Sequence, residues 1–186
     1  KEVVIVDGDM RRPTMHKVFK LSNRLGLSDY FIRTPDKMTG VVKKTAVNGL
    51  SIITSGSLPP NPSELLASTK MQDVIKLLAK HFDMVILDSP PLLAVTDALI
   101  LAKSVDGVIL VIDPKKTKRG AIQQAVEQLK RLDARLLGIV LNNIKVKRSS
   151  YYYNREYYYS KHYGKTGTDS TPAQVEVDDV NIKQGG

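Results

Sequence analysis

The sequence predicts an α/β fold in which a mostly parallel, doubly wound β-sheet is flanked by helices. Short apolar runs alternate along the chain with longer amphipathic stretches, as they do in repeated βαβ units. The short runs are nearly all apolar, which is typical of central strands covered on both faces. With 186 residues, of which 42% are hydrophobic, the chain can bury one sizeable core. We therefore expect one globular domain over residues 1–144 and a flexible, disordered tail over residues 145–186.

Each predicted strand is a run of four or five mainly aliphatic residues. The five runs are Val3 to Val6, Leu50 to Thr54, Met84 to Leu87, Val108 to Ile112 and Leu137 to Leu141. Because continuous hydrophobicity indicates burial on both faces, all five are predicted to lie inside the sheet.

Three helices are predicted between these strands. The first follows Pro60, with Asn61 as its cap, Pro62 in its first turn and Glu64 in the position of a capping-box acid. Its apolar face comprises Leu65, Leu66, Val74, Leu77 and Leu78. The other two are predicted from Thr96 to Lys103 and from Arg119 to Leu132.

Composition limits the classes of function. The chain contains no cysteine, which excludes disulfides and thiolate chemistry. No apolar run approaches the roughly 20 residues of a membrane-spanning helix, so we expect a soluble chain. The net charge of +9 indicates affinity for phosphate, nucleic acid or an anionic surface without choosing among them. Six basic residues fall between Lys145 and Lys165, against the single acid Glu156.

Two aspartates end the first predicted strand, in Asp7-Gly8-Asp9-Met10-Arg11-Arg12-Pro13. Ligands of open α/β sheets bind at the carboxyl ends of the strands. If the extended geometry continues past Val6, Asp7 and Asp9 point the same way and share one site. Such a pair suits Mg²⁺, or a base that accepts a hydroxyl proton. A solvent-exposed turn is the alternative.

A second apolar strand also ends in an acid, in Met84-Val85-Ile86-Leu87-Asp88-Ser89-Pro90-Pro91. This pattern has the form of a Walker B element, whose acid holds Mg²⁺ directly or through water. The alternative is that Asp88 is only a turn residue at a strand end. Two similar strand ends in one chain favour the functional interpretation.

The last predicted strand ends in Asn142 and Asn143, whose amides offer donors and acceptors for the edge of a purine. Asparagine is equally common in turns. The chain contains no Gly-x-x-x-x-Gly-Lys-Ser/Thr phosphate loop. In a fold of this type that loop follows the first strand, so we expect the chain to begin at about the second strand and its N-terminus to be truncated.

These motifs resemble those of the bacterial tyrosine kinases that govern capsular polysaccharide and exopolysaccharide synthesis, a branch of the P-loop ATPase lineage. Asp7 to Pro13 is similar to the family's second Walker-type motif, and Ile86 to Pro91 to its Walker B. The segment from Ser55 to Leu66 resembles one that recurs in the family. Val95-Thr96-Asp97-Ala98 and Asp106-Gly107-Val108 continue the likeness, which runs from about residue 3 to residue 163.

The resemblance implies roles for single residues. Asp7 would be the base for an incoming tyrosine hydroxyl, and Asp9 and Asp88 would help to hold Mg²⁺; the roles of Asp7 and Asp9 remain exchangeable. Arg11 would contact phosphate of ATP or an acidic neighbour, and Asn142 would lie where related ATPases bind adenine.

The resemblance also implies partners and a location. It implies a transmembrane activator, or polysaccharide co-polymerase subunit, that holds the kinase at the cytoplasmic face of the membrane. It further implies a ring of identical subunits that disassembles on phosphorylation, and a tyrosine phosphatase that reverses the modification.

Seven of the eight tyrosines lie close together near the C-terminus. Their spacing fits neither a helical nor a strand core. An accessible phenol array beside basic residues is instead predicted to be the phosphate acceptor. Its members are Tyr151, Tyr152, Tyr153, Tyr157, Tyr158, Tyr159 and Tyr163.

Three other interpretations stay open. A basic, aromatic tail also suits nucleic acid, although no nucleic-acid partner is expected. A partition-type or Min-type ATPase would share the sheet and both aspartate motifs, but not the tyrosine cluster. A catalytically incomplete regulatory fragment would act through its tail on a polysaccharide assembly complex.

Overall fold

The computed structural model describes residues 1–33 and 38–144. Within these residues, six strands and six α-helices are arranged as an α/β fold, as the sequence predicts. The predictions made for the tail, including all seven clustered tyrosines, fall outside the described residues.

Four strands form one mixed sheet in the order β2-β3-β1-β4. They are β1 (Val3–Asp7), β2 (Val42–Lys44), β3 (Leu50–Ile53) and β4 (Met84–Asp88). Strand β1 pairs in parallel with both β3 and β4, and β2 pairs antiparallel with β3. The sequence analysis missed β2, because two of its three residues are lysines.

A second, parallel sheet contains β5 (Val108–Ile112) and β6 (Leu136–Leu141). Both predicted strands are therefore present. Their apolar side chains are not covered on both faces: Ile109 is 58% exposed, and Leu137 is 57% exposed. The prediction of burial on both faces was therefore wrong for β5 and β6. It was also wrong for β4, where Met84 is 50% exposed. In contrast, Val4 and Val6 of β1 are fully buried.

The helices surround the sheets. They are α1 (Met15–Val18), α2 (Leu27–Arg33), α3 (Pro62–Ala67), α4 (Thr69–His81), α5 (Asp97–Ala102) and α6 (Arg119–Arg131). The core packs α2, α4 and α5 against β1 and β3 and includes Leu27, Met71, Leu78 and Leu101. Of the helices that the structure describes, none is long and apolar enough to cross a membrane.

The helix predicted after Pro60 is two helices, because the chain turns at Ser68. Ser68 has an extended backbone, and its side chain accepts a hydrogen bond from the Met71 amide at the start of α4. Asn61 occupies the N-cap position of α3, as predicted, but its side chain makes no capping hydrogen bond to the helix. Its side-chain amide donates instead to the Glu64 carboxylate.

A polar network fixes the loop between β3 and α3. Gly56 has a φ of +84°, and its amide and carbonyl pair with the Asn23 side chain. Asp29 accepts hydrogen bonds from the amides of Gly26 and Ser57. The amine of the half-buried Lys43 donates to the carbonyls of Ser22 and Leu25 and to the Thr54 hydroxyl. The segment that leads into α3 therefore has a defined path.

Candidate active site

Asp7 and Asp88 lie side by side at the carboxyl ends of two adjacent strands. They are register partners in the parallel pairing of β1 with β4. The Gly8 amide donates to the backbone carbonyl of Asp88 over 2.9 Å, which continues the pairing past the strand ends. A Cβ on Gly8 would lie 2.6 Å from that carbonyl oxygen. Glycine is therefore needed for this close approach.

The Asp7 carboxylate is fully buried, and neither of its oxygens has a hydrogen-bond partner. Burial and the neighbouring Asp88 raise the pKa of Asp7 from its ordinary 3.8 to about 6. The amides of Met15 and Asp9 oppose this rise in pKa, but neither makes a hydrogen bond to the carboxylate. Two buried oxygens without donors are a costly arrangement. The site therefore suits a group that brings positive charge or a proton.

Asp88 is half-buried, and its pKa is also raised, first by burial and then by Asp9. The Ser89 amide opposes this rise in pKa. Asp7, Asp9 and Asp88 thus influence one another electrostatically. In the part of the chain that the structure describes, no three acidic or histidine side chains converge into a complete metal site. A cation here would need further oxygen ligands, which agrees with the preference of Mg²⁺ for water and phosphate.

Asp9 is held by its own loop. Its Oδ1 accepts the amides of Arg11 at 3.1 Å and Arg12 at 2.9 Å. The next side chain, Met10, is buried in the core. The backbone that carries Asp9 is therefore fixed, and its carboxylate remains partly exposed.

Arg11 contacts an acidic neighbour, one of the two contacts predicted for it. Its Nε and Nη2 donate to the Asp97 carboxylate over 2.8 and 3.0 Å. Nη2 also donates to Ser63 Oγ over 2.9 Å. Ser63 Oγ in turn donates to Asp97 over 2.6 Å. The Arg11 contact with phosphate stays a prediction.

Sequence reasoning missed Asp97 and Ser63 as members of this site. Asp97 is fully buried, and burial alone would raise its pKa. The hydrogen bonds from Arg11 and Ser63 outweigh that effect and hold the pKa below its ordinary value. A signal was present, since both residues fall in segments that carry the family resemblance.

Asn142 follows the last residue of β6, which belongs to the two-stranded sheet and not to the sheet of the paired carboxylates. Its amide donates to the Ile112 carbonyl, and its side-chain oxygen accepts the Asn143 amide. Asn143 in turn contacts Lys115 and Asp113 at the end of β5. These contacts are turn chemistry, and the adenine-binding role of Asn142 stays a prediction.

Similar proteins share both sequence and fold with this chain. The putative tyrosine-protein kinase CapB of Staphylococcus aureus is 39% identical over 86% of this chain and 68% of its own length. The tyrosine-protein kinase YwqD of Bacillus subtilis is 39% identical over 82% of this chain and 64% of its own. The chain belongs to the bacterial tyrosine kinase family. No protein-family model matches it.

Solved structures agree with this assignment. The kinase domain of Escherichia coli tyrosine kinase ETK has a TM-score of 0.75 at 32% identity, covering 80% of this chain and 58% of that one. The chimerical protein CapA2B2 has a TM-score of 0.74 at 35% identity, and the match covers 77% of this chain and 63% of that one. The chain thus spans between 58% and 68% of the length of these relatives.

A more distant likeness shows the fold alone. The septum site-determining protein MinD from Pyrococcus horikoshii, complexed with Mg-ADP, has a TM-score of 0.61 at 20% identity. The match covers 80% of this chain and 63% of the MinD chain. The P-loop ATPase type of α/β fold, predicted from the two aspartate motifs, is therefore confirmed.

Proposed function

We propose that this chain carries the catalytic carboxylates of a protein-tyrosine autokinase, which transfers the γ-phosphoryl group of Mg-ATP to tyrosines of the C-terminal cluster of a neighbouring copy. The observation that carries the proposal is the pairing of Asp7 with Asp88 at adjoining strand ends. Membership of the tyrosine kinase family gives that pairing its chemical context.

The carboxylates fit a magnesium nucleotide. Buried Asp7 oxygens without donors are the feature that a nearby cation would relieve. Asp9 and Asp88 are the residues that would hold the ion, partly through water, and its charge would stabilise the phosphoryl group in transfer. In this arrangement each carboxylate contributes oxygen ligands or accepts a proton.

Asp7 is the proposed base for the tyrosine hydroxyl. A free phenol has a pKa near 10, so its proton must leave as the phosphoryl group arrives. A carboxylate whose pKa is raised to about 6 accepts a proton more readily than an ordinary aspartate and is still ionised at neutral pH. Asp9 is the alternative base, and separate Asp7→Asn and Asp9→Asn variants distinguish the two.

The tyrosine cluster is the proposed acceptor and switch. Each phosphate adds about −1.5 to −2 charge at neutral pH, so a few cancel the local positive excess. The proposal is that an unmodified tail occupies a neighbour's active site and that the modified tail is released, which takes the ring of subunits apart. A tyrosine phosphatase would restore the unmodified tail.

The cellular setting is proposed from the family resemblance. The kinase would act in capsular or exopolysaccharide synthesis, at the cytoplasmic face of the membrane, through a transmembrane activator of the co-polymerase type. The likeness to a chimerical protein, CapA2B2, supports pairing with a second protein component.

The test is phosphorylation of the full-length protein that carries this chain, incubated with ATP and Mg²⁺. Wild-type protein is expected to gain phosphate on tyrosines between Tyr151 and Tyr163, and Asp88→Ala almost none. Asp73→Ala is the matched control, because Asp73 is exposed on α4. Equal phosphorylation of wild type and Asp88→Ala would refute the metal-binding role of Asp88.

A partition-type or Min-type ATPase is the second candidate, favoured by the likeness of fold to MinD. In that case the same incubation would release inorganic phosphate while the tyrosines stay unmodified. A regulatory fragment would give neither product. Phosphotyrosine and free phosphate measured in one reaction therefore separate the three functions.

A further inference from the structure

Arg11, Ser63 and Asp97 join three separate segments of the chain. Arg11 belongs to the loop after β1, Ser63 to the first turn of α3, and Asp97 to the first turn of α5. All three side chains contact one another, through four hydrogen bonds of 2.6 to 3.0 Å. We call these three residues the strand-end clamp.

One end of the clamp controls the loop that carries Asp9. The amides of Arg11 and Arg12 both donate to Asp9 Oδ1. The backbone of Arg11 therefore orients the Asp9 carboxylate, while the Arg11 side chain reaches out to Asp97. A shift of Arg11 would move the donors that hold Asp9.

The other end of the clamp lies where the loop that follows Asp88 joins α5. Asp97 begins α5, and the segment between β4 and α5 is the one that leaves Asp88. Asp97 is fully buried, so its position is set by packing as well as by hydrogen bonds. The Arg11–Asp97 contact thus spans the two loops that follow the carboxylate-bearing strands.

The chemistry of the contact favours a positioning role. Two guanidinium nitrogens donate to the two oxygens of one carboxylate, and this bidentate geometry fixes orientation as well as distance. Lysine cannot reproduce this geometry, because its ammonium group is a point charge. With Ser63 bound to the same nitrogen, both Nε and Nη2 of Arg11 are engaged by side chains of this protein.

We propose that the strand-end clamp sets the relative position of Asp9 and Asp88, and so the affinity of the site for a divalent cation. Arg11 is then a positioning residue and makes no contact with phosphate. The inference rests on the proposed function for its kinetic consequences. Its consequence for cation binding needs no turnover.

The test uses four variants of the full-length protein: Arg11→Lys, Ser63→Ala, Ser63→Thr and the control Arg131→Lys, at an exposed position of α6. Mn²⁺ binding in the presence of ADP is measured by the electron paramagnetic resonance signal of free Mn²⁺. Arg11→Lys is expected to weaken Mn²⁺ binding about 10-fold to 100-fold, as loss of an outer-sphere ligand partner does. Ser63→Ala is expected to weaken it less, and Ser63→Thr to retain wild-type affinity, because threonine keeps the hydroxyl. Arg131→Lys should match wild type.

Kinetics and thermal unfolding separate the clamp from other roles. The proposal predicts that Arg11→Lys lowers kcat and raises the Mg²⁺ concentration for half-maximal phosphorylation, with little change in KM for ATP at saturating Mg²⁺. Unchanged Mn²⁺ affinity with a raised KM for ATP would make Arg11 a phosphate ligand and overturn the proposal. A lowered melting temperature with unchanged Mn²⁺ affinity would also overturn it.

Failure of the proposed function gives a different result. If wild-type protein forms no phosphotyrosine, yet Arg11→Lys still weakens Mn²⁺ binding, the clamp stands and the kinase assignment falls.

Discussion

The end of β1 and the start of α5 each bury an aspartate completely, but the two carboxylates have opposite surroundings. Asp97 receives hydrogen bonds from Arg11 and Ser63, and its pKa is lowered. Asp7 receives none, and its pKa is raised to about 6. Equal burial therefore has opposite energetic consequences. The difference teaches that Asp97 stabilises the fold, whereas Asp7 is retained at a cost in stability.

Removal of Asp97 should produce the largest effect on stability. Asp97→Ala leaves the Arg11 guanidinium and the Ser63 hydroxyl without their acceptor. The expected loss is about 2 to 3 kcal/mol of unfolding free energy, below the full value for a buried pair because Arg11 is 39% exposed and regains water. Urea unfolding measures it. Asp106→Ala, at an exposed aspartate, should change stability by less than about 0.5 kcal/mol. Equal losses of unfolding free energy in Asp97→Ala and Asp106→Ala would contradict the claim that Asp97 stabilises the fold.

Neutralisation of Asp7 should stabilise the protein, whereas removal of Asp97 should destabilise it. The folded state binds the Asp7 proton more tightly than the unfolded state, so wild-type stability falls as pH rises from about 4 to about 6. Without divalent ions at pH 7.5, the unfolding free energy of Asp7→Asn should therefore exceed that of the wild type by about 1 to 3 kcal/mol. The gain should vanish only well below pH 3.8, where Asp7 of the wild type is protonated in both the folded and the unfolded state. A destabilised Asp7→Asn at pH 7.5 would contradict this interpretation.

Forcing the ends of β1 and β4 apart is expected to lower the unfolding free energy by as much as Asp97→Ala does, or by less. In Gly8→Ala the new methyl group meets the Asp88 carbonyl oxygen at 2.6 Å, so the two backbones must shift, at about 1 to 3 kcal/mol. Gly120→Ala is the control, since no atom lies within 4 Å of its new methyl group. Alanine there should stabilise α6 by up to about 1 kcal/mol. Thermal unfolding compares the two glycines.

Among these site variants, Ser63→Ala should give the smallest change in the free energy of unfolding. Asp97 keeps both bonds from Arg11 and loses only the serine hydroxyl, so the expected loss is about 1 kcal/mol. Urea unfolding beside Asp97→Ala checks the order. A larger loss for Ser63→Ala than for Asp97→Ala would show that the serine, and not the carboxylate, organises the clamp.

The strands and the paired carboxylates were predictable because their signals are local. An apolar run that ends in an acid identifies both β1 and β4, and parallel strands place their carboxyl ends at one edge. An acidic neighbour for Arg11 was predicted, and Ser63 and Asp97 lie in segments that carry the family resemblance. Which residues pair was not predictable, since Arg11 and Asp97 lie 86 residues apart and meet only through the fold. The turn at Ser68 was missed because the apolar spacing continues through it. The burial of β5 and β6 was overestimated, because composition alone does not determine which faces are covered.

The most direct test of the account is phosphotyrosine mapping of the full-length protein with ATP and Mg²⁺, comparing wild type with Asp7→Asn. The account predicts phosphate between Tyr151 and Tyr163 in wild type and at least about 100-fold slower incorporation in Asp7→Asn, the usual contribution of a general base, in spite of its greater stability. Equal rates in the two proteins would contradict the claim that the buried, unpaired carboxylate of Asp7 is retained for catalysis.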